Sequence, residues 1–213
     1  MDKNYFVTRF RFDPARRAVW RAITENLQGW IDPRSSILEL GAGYCDFINQ
    51  ISAGEKYALD MNRDVAEFCA PNVKFLHSGV EEIALPAESV DTVFASNFFE
   101  HLTDQQLYSL SRNLKVLLKP GGKLILLQPN IYYAFREYWD DYTHIKAFSH
   151  ISLANFVQSQ GYTVLHAEKR FLPFSMKSSL PKSYRLTKLY LQLPWRPFAK
   201  QMLLIAEKTD VQR

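Results

Sequence analysis

Only two cysteines, Cys45 and Cys69, occur in 213 residues, and neither has a cysteine or histidine neighbour at metal-ligand spacing. Disulfide scaffolds and structural zinc sites are disfavoured on that count, no metal ligand set is expected, and reducing conditions suit the chain. No apolar run approaches the roughly 20 residues of a membrane-spanning helix. The first twelve residues, broken by Asp2, Lys3, Arg9 and Arg11, hold no signal-like stretch, so a cytoplasmic, non-spanning chain is expected. Internal repeats and low-complexity segments are also missing. With 47% apolar, 14% aromatic and 23% charged residues, disordered and collagen-like classes drop out. What remains is a folded chain of the length of one ordinary α/β domain with decorations.

Carboxylates are missing from one long stretch. Lys169, Arg170, Lys177, Lys182, Arg185, Lys188, Arg196 and Lys200 fall in a segment with no Asp or Glu, while the rest of the chain holds 18 basic against 22 acidic residues. The net charge of +4 therefore resides in this late basic excursion. It reads either as a solvated face or as a surface for phosphates, anionic lipid or another polyanion.

Asp13 and Pro14 start a leading helix whose apolar residues Ala18, Val19, Ala22, Ile23 and Leu27 recur at helical spacing. Strands and helices then alternate. A buried strand over Ser36–Leu40 passes through Gly41-Ala42-Gly43 into an expected helix from Asp46 to Ile51, and a second strand, Tyr57–Leu59, ends on Asp60. A helix over Asp64–Cys69 and strands over Val73–Leu76 and Val90–Ala95 follow. Next come a helix from Asp104 to Leu118, a Pro120-Gly121-Gly122 turn and a strongly apolar strand, Lys123–Leu127. A helix over Ser152–Gln160, strands over Tyr162–Ala167 and Gln201–Ala206, and a short amphipathic helix carrying Leu186, Leu189, Tyr190 and Leu193 complete the reading. Such a succession, with strands too apolar to face water, implies an α/β fold with a mainly parallel sheet covered by helices on both faces.

The chemistry concentrates at strand ends, where open α/β sheets bind ligands. Glu39-Leu40-Gly41-Ala42-Gly43 provides a tight turn without obstructing side chains, and Asp60, nineteen positions after Gly41, can accept both hydroxyls of a ribose. Together they specify an adenosine-type ligand. A dinucleotide fingerprint wants a third glycine where Asp46 stands, and no phosphate loop ending in Gly-Lys-Ser/Thr is present.

At these residues the chain resembles the class I S-adenosylmethionine-dependent methyltransferases, most closely the small single-domain type 11 branch. The likeness is carried by Ile37 to Gly43, Leu59-Asp60, Ser89 to Val93, Phe99-Glu100-His101-Leu102 and Leu117 to Gly122, in the family's order and spacing. It implies a Rossmann-like, doubly wound sheet of seven strands, mainly parallel with the last strand antiparallel, in a single domain over 1–213. Within it, 1–31 would be the leading helix, 32–130 the cofactor half, and 131–213 the acceptor half with the basic excursion 169–200.

The resemblance implies S-adenosylmethionine as cofactor, with Gly41, Ala42 and Gly43 beneath its methionine and ribose parts. Glu39 would hold the loop and reach the amino group, Asp60 would bind the ribose, and Met61 would pack on the adenine. Gly79 and Val80 would form the adenine-edge loop, and Asn97 the wall beside the sulfonium. Cys45 and Gly79 depart from the family pattern, which often has glycine at the first position and aspartate at the second.

For a hydroxyl acceptor a base is needed, and His144, oriented by Asp141 or Asp140, is the leading candidate; the alternative is a histidine that packs its loop. His101 reads first as a packed residue of a helix start, and His77, His150 and His166 as structural or surface residues. The family's amino-base methylating members often carry Pro-Pro after the fourth strand, and Ser96-Asn97-Phe98-Phe99 has no proline. Base N-methylation loses support on that count. The run from Arg170 to Leu203 resembles bacterial methyltransferases of cell-surface glycan and secondary-metabolite assembly, which implies a small-molecule or glycan acceptor, with an anionic lipid-linked substrate or membrane surface as a partner of the excursion. RNA, which aromatic and basic side chains also suit, and a non-catalytic cofactor-binding module remain the alternatives.

Overall fold

The computed structural model describes residues 12–173 and 182–209. Its order is α1 (Arg16–Leu27), β1 (Ser36–Leu40), β2 (Glu55–Asp60), β3 (Val73–His77), β4 (Val90–Ser96), α2 (Asp104–Leu117), β5 (Leu118–Pro129), a one-turn α3 (Ile131–Ala134), α4 (His150–Ser159), β6 (Tyr162–Pro173), α5 (Tyr184–Gln192) and β7 (Ala199–Lys208). The seven strands form one sheet in the order β3-β2-β1-β4-β5-β7-β6. β1 to β5 pair in parallel, and β7 runs antiparallel to both β5 and β6. The expected seven-stranded, doubly wound sheet with its last strand reversed is the sheet observed.

Both faces are covered because side chains alternate across each strand. On one face Leu38, Leu40, Val93, Leu124 and Leu126 meet Leu107, Leu110 and Leu114 of α2 and Leu153 and Val157 of α4. On the other, Ile37, Phe94, Ile125 and Leu127 meet Trp20, Ile23 and Leu27 of α1 and Leu191 of α5. β1, buried at every position, runs between β2 and β4. No helix among the described residues is long and apolar enough to cross a membrane.

Three local expectations need correction. The stretch from Asp46 to Ile51 forms successive turns instead of a helix: the Glu39 carboxylate takes the Ile48 N–H at 3.0 Å, and Cys45 adopts a positive φ of 55°. The Asp64–Cys69 segment is a 3-10 helix over Arg63–Phe68, begun by the Asn62 side chain accepting from the Asp64 N–H. Pro120-Gly121-Gly122 does not separate a helix from a strand; it loops out within β5. The ladder to β4 resumes there from Val90↔Leu118 to Thr92↔Lys123, and Gly121 supplies the φ of +68°.

Candidate active site

The strand order turns back between β1 and β4, so the carboxyl ends of these two strands open the crevice in which α/β sheets hold ligands. Glu39, 4% exposed near the end of β1, anchors the following turns through Ile48. Burial raises its carboxyl well above the ordinary range, against the Ile48 N–H, which lowers it. Gly41 and Gly43 both need positive φ, +62° and +53°, which glycine adopts without steric cost. The Ala42 N–H donates to the Leu59 carbonyl at 3.2 Å, joining the turn to the end of β2.

Asp60 completes the connection. Its Oδ2 accepts from the Gly43 N–H at 3.1 Å and its Oδ1 from the Asn62 N–H at 2.9 Å. Each carboxylate oxygen keeps a second lone pair, so the group can accept further donors while holding the turn. Met61, 60% exposed, stands next to it, its carbonyl bonded to His77 Nε2 at 3.0 Å. After β3, Val80 is buried while its carbonyl accepts from Asn113 of α2, and Gly79 lies close to the Glu81 carboxylate. From β4, Asn97 takes a φ of 47°, donates its N–H to Leu127 and accepts from Gln201 Nε2 at 2.8 Å. The Phe98 ring lies so close over Gly41 that an added Cβ would meet it at 2.5 Å.

A second group of residues lies beyond the ends of β4 and β5. The 3-10 turn Phe99–His101 places Glu100, fully buried, and the Ile145 and Lys146 N–H groups both donate to its carbonyl, tying down the loop that carries His144. His144, 9% exposed, bonds through Nδ1 to the Tyr138 carbonyl at 2.6 Å, and its Nε2 lies 4.0 Å from Glu100 Oε1. His101 bonds through Nδ1 to the Thr143 carbonyl at 3.1 Å. Asp141 accepts from the Thr143 N–H and hydroxyl. Burial raises the Asp141 carboxyl, yet the Thr143 bonds and the nearby histidines bring it below its ordinary value. The carbonyl of Tyr138, invisible to residue-type reasoning, holds the His144 ring at Nδ1.

Sequence reasoning also passed over Glu100 and Gln128. Both are fully buried, and neither side chain has a hydrogen-bond partner among the described residues. Burial pushes the Glu100 carboxyl up to about 8 and His101 down to about 4. A signal existed for each: Glu100 sits in the quoted Phe99–Leu102 motif, and Gln128 is an amide at the end of an otherwise apolar strand.

Residues 38–126 match the family model of the methyltransferase domain. That stretch is similar to the methyltransferase domain family, and the whole chain has the fold of solved methyltransferases. The sequence motifs resemble the type 11 branch of that family, whose cofactor is S-adenosylmethionine. An S-adenosylmethionine-dependent methyltransferase from Archaeoglobus fulgidus is similar in structure with a TM-score of 0.70 at 20% identity, over 97% of this chain and 100% of that one. One from Mesorhizobium loti gives 0.63 at 15% identity, over 88% and 98%. A complex between the Haloferax volcanii Trm112 methyltransferase activator and a methyltransferase gives 0.65 at 12% identity, over 94% and 100%. No curated protein matches the chain in sequence. The residues present fit the cofactor: a glycine turn that a Cβ would obstruct, and a strand-end carboxylate with acceptor capacity left over.

Proposed function

We propose that this methyltransferase moves a methyl group from S-adenosylmethionine to a hydroxyl of a small-molecule or glycan acceptor in the cytoplasm. The half up to residue 130 holds the cofactor and the half from 131 faces the acceptor. Gly41, Ala42 and Gly43 line the methionine and ribose side under the hold of Glu39, with Asp60 on the ribose. Met61, Gly79 and Val80 border the adenine, and Asn97 stands beside the sulfonium. The bound cofactor supplies an activated methyl on a positively charged sulfur, so this chain's task is to bring the acceptor oxygen into line and remove its proton.

One observation carries the hydroxyl reading: buried Glu100 and the part-buried His101 cluster with His144 at the same sheet edge as the glycine turn, with His144 fixed by the Tyr138 carbonyl. A carbonyl only accepts, so the neutral ring carries its proton on Nδ1 and its lone pair on Nε2. His144 is the leading proton acceptor, and Asp141 favours the charged ring that results. Replacing His144 by Ala is expected to cut turnover about 10²–10⁴-fold and to leave S-adenosylhomocysteine affinity intact. Unchanged turnover would remove His144 from the reaction.

The expected anionic docking surface receives less support. Lys182 pairs with Asp13, Lys188 with Glu25, Arg196 with Glu168 and Lys200 with Glu137. Half of the eight cations are thus engaged by carboxylates of the rest of the fold, which favours a small acceptor over a lipid-linked one or RNA. Lys177 lies outside the described residues.

A further inference from the structure

We propose that Cys45 and Cys69 form a reversible disulfide that weakens cofactor binding, so that the thiol–disulfide balance of the surroundings controls occupancy of the crevice. The effect on binding rests on the cofactor reading above; the bridge itself does not.

Three features place the pair at the cofactor turn. First, both thiols are free, and their sulfurs lie 3.3 Å apart although the residues are 24 positions apart in the chain. A disulfide holds its sulfurs at about 2.05 Å, so bonding asks for an approach of little more than about 1 Å. Second, the backbone on both sides of Cys69 is tied to the turns that carry Cys45. The Asn49 side chain donates to the Phe68 carbonyl and accepts from the Ala70 N–H, each at 2.8 Å, and the Asn49 N–H donates to the Cys45 carbonyl at 3.1 Å. The Val65 carbonyl of the 3-10 helix lies 3.9 Å from the Cys45 sulfur and 3.8 Å from the Cys69 sulfur. The two thiols therefore face each other in a fixed setting. Third, Cys45 is part of the glycine turn: its N–H donates to the Ala42 carbonyl at 2.8 Å, and its sulfur lies 4.0 Å from the carbonyl of Gly43, whose N–H donates to Asp60. Drawing Cys45 toward the 3-10 helix thus moves the turn and the carboxylate that the cofactor needs.

Cys69 is partly exposed and Cys45 is buried, so a low-molecular-weight disulfide such as glutathione disulfide reaches Cys69 first. The hydrogen bond from Cys45 lowers the Cys69 thiol against the opposing effect of burial, which favours Cys69 as the attacking thiolate. With its proton released to water, that thiolate attacks one sulfur of glutathione disulfide; the S–S bond breaks, and one glutathione leaves as a thiolate and takes up a proton. The Cys45 sulfur then loses its proton and attacks the Cys69 sulfur of the mixed disulfide, expelling the second glutathione. Two protein thiols are oxidised to one disulfide, and one glutathione disulfide is reduced to two thiols. An excess of glutathione thiol reverses both steps. The alternative is an inert pair of cysteines that fills space between the turn and the 3-10 helix.

The test equilibrates the full chain in glutathione buffers from fully reduced to fully oxidised. Mass spectrometry after blocking of free thiols identifies the product, and calorimetry titrates S-adenosylhomocysteine into each form. Oxidation should yield one Cys45–Cys69 bridge per chain, with both thiols recovered on reduction. The bridged form should bind S-adenosylhomocysteine at least about fivefold more weakly, and by linkage saturating S-adenosylhomocysteine should disfavour the bridge by the same factor. Cys69→Ser should bind like the reduced wild type in every buffer. A wild-type chain that keeps both thiols or stops at a glutathione mixed disulfide overturns the proposal, as does a bridge that leaves affinity unaltered. A loss of affinity in oxidising buffer that persists in Cys69→Ser also overturns it. A reduced wild type that forms the bridge on oxidation but never binds S-adenosylhomocysteine would overturn the cofactor reading and the switch with it, while the bridge would stand.

Discussion

Gly41 meets two demands that one methyl group would violate. Its φ of +62° lies where a Cβ crowds the following carbonyl, and the Phe98 ring already occupies the space a Cβ would take. Gly41→Ala is expected to cost roughly 1–2 kcal/mol from the backbone alone, read as a lowered denaturation midpoint, and to weaken cofactor binding. A variant that melts normally would show that the turn and Phe98 yield more easily than this packing implies. The turn and Asp60 were legible in the sequence because their spacing is local to one strand, one turn and the next strand. His144 was legible as a residue but its setting was not, since the Tyr138 carbonyl and the Glu100 carboxyl reach it only through tertiary structure. Likewise Cys45 and Cys69, far apart in sequence and both free, have their sulfurs 3.3 Å apart, because the turns after β1 pack on the 3-10 helix after β2.

Elements were legible where hydrophobic periodicity set them and illegible where a side chain replaced a backbone partner. α2 shows the first case: it begins with a capping box between Thr103 and Gln106 and buries Leu107, Leu110 and Leu114 on one stripe. The 46–51 turns show the second, with Glu39 accepting from Ile48 across the fold. Asp91 acts similarly between strands. It accepts from the Ser36 N–H at 2.8 Å, the Ser36 hydroxyl at 2.7 Å and Lys119 Nζ at 2.8 Å, joining β1, β4 and β5 at the edge opposite the site. Burial raises its carboxyl, but the Lys119 ammonium and the Ser36 bonds bring it below the ordinary value. A carboxyl lowered on folding contributes stability that is full above the unfolded-state value of about 3.8 and is lost as pH falls through the folded-state value. Asp91→Asn should therefore melt below the wild type at neutral pH and converge with it in acid. A gap independent of pH would assign the loss to packing.

Across the whole molecule, the order β3-β2-β1-β4-β5-β7-β6 brings both halves of the site to one edge of the sheet. The βα alternation announced the parallel part, whereas the reversed β7 came from family resemblance and not from periodicity. The basic excursion was legible as charge, whereas the carboxylates that pair with four of its eight cations come from other parts of the chain. α5 rests on α1, where Glu25 accepts from Tyr184 at 2.6 Å and from Lys188 at 2.9 Å, and Arg21 stacks on the Tyr184 ring. Neutralising Arg185 and Lys188 together should lower the melting temperature only slightly, since exposed pairs contribute about 0–1 kcal/mol, and should leave turnover on a neutral acceptor unchanged. A marked rise in KM for an anionic acceptor would restore the docking surface.

The central claim, that the Gly41–Gly43 turn and Asp60 hold the cofactor, is tested most directly by calorimetric titration of S-adenosylhomocysteine into the wild type and Asp60→Ala. One site per chain is expected in the wild type. The variant should bind more weakly by about 1.5–3 kcal/mol, as for loss of charge-assisted hydrogen bonds. Equal affinity in the two proteins, or no binding to the wild type, would contradict the claim.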